Sequence, residues 1–158
     1  DAAAYARAPP LVGAVSQGPP GIVADRLYRS RWRAWSRRLP AMAGFALAAA
    51  GVLAVSGMET PLGAAIAFTA ATFGADLTIS PSWSYCADIA GKSAGSVSAA
   101  MNMVGNLGAF LSANAFPWLL ALTGSASAYF AVAATLNLAA VFCWVRMRSL
   151  RPPGSASG

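Results

Sequence analysis

SAGSVSAAMNMVGNLGAFLSANAFPWLLALTGSASAYFAVAATLNLAAVFCWV, residues 93 to 145, runs for 53 positions without one charged side chain. A single membrane span needs about 20 apolar residues, so this run holds two. It divides at TGSAS, residues 123–127, into segments of about 96–122 and 128–145. The whole chain agrees, being 57% hydrophobic and only 10% charged over 158 residues, where a soluble domain carries roughly a quarter charged residues. A chain this short also leaves much of its surface uncovered after folding. The reading is an integral membrane protein of all-α class, with the lipid bilayer as its first partner.

Working upstream, residues 62–85 and 40–58 form two further uncharged or nearly uncharged segments, joined by METP at 58–61. Pro40 suits the first turn of a helix, and Pro81 predicts a kink or unwinding near the end of its segment. Residues 5–24 are weaker, broken by Arg7 and by Pro9-Pro10 and Pro19-Pro20. Helix breakers are tolerated in membranes where neighbours or water satisfy the freed backbone groups, so this stretch reads as a fifth span. Residues 150–158 read as a disordered tail, and the start at Asp1 reads as cut from something longer.

The charges fix a consistent topology. Six of the eleven basic residues (Arg26, Arg29, Arg31, Arg33, Arg37 and Arg38) lie in one loop, and Arg146, Arg148 and Arg151 follow the last segment. Basic clusters mark cytoplasmic loops. With five segments every cluster, including the Asp88–Lys92 link, falls on one side, and the C-terminus is cytoplasmic. The basic residues serve topology, and no separate soluble domain carries them as a nucleic-acid-binding patch.

Several chemistries have no support in the residues. There is no histidine and no metal-ligand cluster, and nothing pairs a nucleophile with a base, so neither an enzyme nor a cofactor or metal site is expected. Cys86 and Cys143 are too far apart for a metal motif and read as buried free thiols. Gly91, Lys92 and Gly95 lack the spacing of a phosphate loop, because the lysine precedes the second glycine.

The first inner loop reads GIVADRLYR. Gly21, Asp25, Arg26 and Arg29 resemble the G-x-x-x-D-R-x-x-R loop signature of major facilitator transporters. Tyr28 stands where glycine is common and Ser30 where a basic residue is common. The stretch DLTISPSWSYCADIAGKSAGSVSAAMNMVGNLGAF, residues 76–110, is similar to helices ten and eleven of the anion:cation symporter branch of that superfamily. The resemblance implies a polytopic helix bundle over residues 1–149, part of the C-terminal six-helix half, at about helices 8–12 of twelve. It further implies a secondary active transporter working by alternating access, carrying a small organic anion such as a sugar acid by proton symport. Its other half, not among these residues, would be the chain's partner, and its place the bacterial inner membrane.

Candidate site residues follow, each with two open readings. Asn102 and Asn106 lie one turn apart, about 40° off a common line, and an unsatisfied amide is too costly to face lipid. They either bond neighbouring helices or donate to a substrate; by resemblance, Asn102 matches a substrate-contacting asparagine. Gly105, Gly108 and Ser112 read as a strip for close helix approach. Asp76 lies about 14 residues, or roughly 21 Å, into its span, and is either a coupling carboxylate or a structural partner. Gln17 faces either a cavity or a neighbour. Trp83 and Tyr85 read as an interfacial belt or a sugar-stacking platform, and Trp32 and Trp35 as headgroup anchors. The competing class is a non-transporting structural or binding membrane module.

Overall fold

The computed structural model describes Trp35 and residues 37–147. The segment 5–24, Gln17, the loop residues Gly21, Asp25, Arg26 and Arg29, and the tail 150–158 lie outside the described residues. Those described are helical throughout apart from short turns, with no strand among them. The helices are α1 (Arg38–Ser56), α2 (Pro61–Ala90), α3 (Ala94–Thr123) and α4 (Ser127–Arg146), with a 3₁₀ turn at Gly91–Ser93.

Local chemistry sets the ends. Pro61 opens α2 at a position where its missing N–H is no loss, and the Thr60 hydroxyl accepts the Gly63 N–H at 3.1 Å. Gly91 (φ +49°) and Gly124 (φ +68°) follow the last residues of α2 and α3, in a backbone region that glycine enters without penalty. Arg38–Ser56, Pro61–Thr123 and Ser127–Arg146 are three stretches long and apolar enough to cross a membrane. The middle one has 63 residues, which unbroken would reach about 95 Å, some three hydrocarbon thicknesses. The Gly91 turn breaks it into two arms, and the Cys86 thiol meets Met101 Sδ at 3.3 Å where the arms converge.

Helix α1 packs against both α2 and α4. Its contact with α2 is antiparallel and almost backbone to backbone. A Cβ built on Gly44 would stand 2.6 Å from the Gly74 carbonyl oxygen, and one on Gly51 2.7 Å from the Ala71 nitrogen. Ala48, Ala67 and Ala71 are buried along the same line. Without a hydrophobic drive between helices in lipid, such small residues bring helices close enough for van der Waals attraction to act. At the Arg38 end of α1 the helices are tied twice more. Arg37 Nε donates to Asp88 Oδ2 at 3.1 Å, and the rings of Tyr85 and buried Trp144 meet edge-on at 5.6 Å.

Several sequence expectations need correction. Helix α2 does not unwind at Pro81 but continues to Ala90, because Pro81 is fully buried and so held by packing. Consequently Asp88 is helical rather than part of a link. Gly105 and Gly108 are not an approach seam among the described residues, since a Cβ on either would meet nothing within 4 Å; the close approach is at α1–α2. Cys86 is buried as expected, but Cys143 is exposed. Tyr85 packs edge-on against Trp144 of α4. Trp83 is exposed.

Candidate functional site

Helix α3 is the unusual element, since none of its residues is buried. At 100° per residue its surface resolves into three faces. Met101 and Ser112 lie on the edge toward α2 and α4, where Met101 meets Cys86 and Ser112 meets Tyr129. A second face carries Val104, Leu107, Leu111, Trp118 and Leu122, all more than half exposed. The third face is lined by small and amide side chains, with Ser98, Asn102, Asn106, Ala109 and Ala113 within about 40° of one line.

Bulky and amide faces are both uncovered by the described residues, yet they suit different surroundings. Hydrocarbon accepts leucine and tryptophan at no cost and rejects an unpaired carboxamide by several kcal/mol. The amide face therefore belongs against protein or water, and the bulky face against lipid.

The two asparagines are chemically unequal. Asn106 Nδ2 donates to the Asn102 backbone oxygen at 2.9 Å, as Asn114 does to Phe110 at 2.7 Å and Asn137 to Ala133 at 2.8 Å. Each carboxamide so engaged has spent a donor on its own helix. Asn102 makes no such bond among the described residues, so both its N–H groups and its oxygen remain for another group. That difference is invisible in sequence, where both are simply Asn.

Asp76 lies near the middle of α2, about 22 Å along it from Pro61, and is half-buried. Gly74 and Thr78 of the α1 seam stand two positions either side, so Asp76 lies on the opposite face of the helix. Thr69 and Thr72 share that face. Their hydroxyls donate to the carbonyls of Ala65 at 2.7 Å and Phe68 at 3.0 Å, leaving lone pairs outward. The α2 face is thus acceptor-rich around a carboxylate, while α3 offers amide donors at Asn102.

The described residues hold no group of three or more His, Cys, Asp or Glu side chains that could bind a metal. What the geometry does hold is a set of membrane-length helices, a carboxylate within one of them and an amide face on another. The family model of the Major Facilitator Superfamily matches residues 2–113, more than two thirds of the chain. The chain belongs to the Major Facilitator Superfamily. The match runs through α1, α2 and two thirds of α3, so it includes Asp76, Asn102 and Asn106. Comparison with curated proteins and with solved structures gives no match. As a member of a transporter family, the chain is an integral membrane protein built as a helix bundle in contact with the bilayer.

The interhelical ties Arg37–Asp88, Tyr85–Trp144 and Ser112–Tyr129 were not anticipated. The first had a signal, because both residues fall at the same membrane face in the five-segment topology. The others join ordinary membrane residues at sequence distances that no local pattern marks.

Proposed function

We propose that this major facilitator member is a secondary active transporter of a small organic anion, sugar-acid-like, coupled to protons and working by alternating access. Residues 1–149 correspond to helices eight to twelve, and an N-terminal half completes the cavity. The basic loop and the C-terminus face the cytoplasm of a bacterial inner membrane.

The observation carrying this reading is the amide face of α3. Asn102 presents two uncommitted N–H donors on a face that lipid cannot cover, which suits a carboxylate or hydroxyl of a substrate in a wet cavity. Asn106 flanks it, offering its carbonyl oxygen and one remaining N–H. Gln17, by its place in the sequence, is a further polar contact, and the loop residues Gly21, Asp25, Arg26 and Arg29 latch helices at the inner surface. Asp76 is the coupling candidate, since an ionisable group within a span marks an ion path by default.

Uptake tests this directly. The full-length protein in proteoliposomes should accumulate a labelled hexuronate when an inward proton gradient is imposed, and Asn102→Ala should weaken affinity with near-normal protein yield. Uptake indifferent to every sugar acid tried would remove the substrate class. Lost folding with unchanged affinity in the surviving protein would assign Asn102 to packing instead. Reading the coding sequence upstream should reveal seven more spans and another copy of the loop motif.

A further inference from the structure

Three features meet within two turns of α3, at its Thr123 end. Ser112 Oγ and Tyr129 Oη are 2.6 Å apart. The Phe116 and Tyr129 rings meet edge-on at 5.1 Å and 87°. Pro117 follows at once within the helix, and having no N–H it leaves the Ala113 carbonyl without its intrahelical donor.

We infer that Tyr129 is a latch on the hinge of α3: its contacts with Ser112 and Phe116 clamp the weakened Ala113–Pro117 turn against α4, and when they break the turn bends and carries the segment Pro117–Thr123 away. This goes beyond the substrate assignment and rests on the alternating-access reading, in which one end of the bundle must open. The other ties differ in kind. The α1–α2 seam is backbone against backbone, with virtual Cβ contacts under 3 Å, and the far end of α4 is anchored through buried Trp144. Ser112, Phe116, Pro117 and their surroundings have no buried residue on α3. Tyr129 itself is half-buried. A contact of one hydrogen bond and one ring edge is strong enough to bias two positions and weak enough to break each cycle.

Labelling of a reporter cysteine tests the latch without any substrate, so failure of the organic-anion reading leaves its outcome interpretable. The full-length protein would carry Cys86→Ala, Cys143→Ala and Leu120→Cys, Leu120 lying beyond Pro117 on the Asn102 side of the helix. A membrane-impermeant maleimide is added on the side of the 123–127 turn. Tyr129→Phe and Ser112→Ala should each speed labelling by about three- to tenfold, the range that one interhelical hydrogen bond or ring pair supports. The double variant should gain no more than the larger single effect, because both remove one contact. Pro117→Ala should suppress the gain. A Leu122→Cys reporter on the lipid face should not respond. Unchanged Leu120→Cys labelling in Ser112→Ala, the mildest change, would overturn the latch even if Tyr129→Phe fails to fold. So would equal acceleration at Leu122→Cys, which marks general loosening.

Discussion

Gly44 and Gly74 touch through their backbones: a Cβ on Gly44 would stand 2.6 Å from the Gly74 carbonyl oxygen, and one on Gly74 2.7 Å from the Gly44 oxygen. No side-chain rotation relieves either clash, because the obstacle is main chain. Gly44→Ala should therefore separate α1 from α2 and destabilise the protein by about 1–3 kcal/mol, the usual range for overpacking. Gly108→Ala, with nothing within 4 Å among the described residues, should be neutral or slightly stabilising through helix propensity. Thermal unfolding in detergent checks both, and equal melting of Gly44→Ala and wild type would refute the seam.

The contrast between those glycines also marks what sequence could yield. The uncharged runs, the turn residues and the basic loops give membrane helices directly, since a bilayer penalises charge and open backbone in a way that composition records. The seam could not be located this way. Gly44, Ala48 and Gly51 in α1 look like Gly105, Gly108 and Ser112 in α3, and only the residues lying opposite distinguish them. Whether Pro81 ends its helix or lies within it was likewise illegible, because that depends on the packing around it. At the candidate site, the pairing of two amides was legible, whereas the bond that engages Asn106 and leaves Asn102 open was not.

Tyr85 and Trp144 join α2 to α4 with ring centroids 5.6 Å apart. Trp144 is 6% exposed while Trp83, on the same helix as Tyr85, is 43% exposed. Trp144→Ala should cost about 3–5 kcal/mol, as for large-to-small changes in packed cores. Trp83→Ala should change stability by less than about 0.5 kcal/mol. Comparable losses from the two would contradict the packing described.

The Arg37–Asp88 pair sits at side-chain exposures of 23% and 38%, where solvent weakens ion pairs. Asp88→Asn should lower stability by no more than about 1 kcal/mol, with the difference shrinking as salt is raised. Unfolding midpoints at low and high ionic strength decide this. A large, salt-independent loss would mean that Asp88 does more than pair with Arg37.

Charge at the α3 amide face separates substrate contact from packing more sharply than deletion does. If Asn102 donates to an anion, Asn102→Asp replaces both donors with a like charge, and the substrate should meet repulsion as well as a missing bond. Its KM should then rise well beyond that of Asn102→Ala, by at least about tenfold, equivalent to 1.4 kcal/mol. Asn106→Asp should produce a smaller rise, because one of its N–H groups already serves the Asn102 carbonyl at 2.9 Å. Lowering the pH should narrow the gap between Asn102→Asp and Asn102→Ala, since protonating the new carboxyl removes the repulsion and restores a donor. Uptake kinetics across that pH range, corrected for the wild-type response, make the comparison. Identical KM values for Asn102→Asp and Asn102→Ala would place the anion elsewhere in the cavity and leave Asn102 a helix-packing residue.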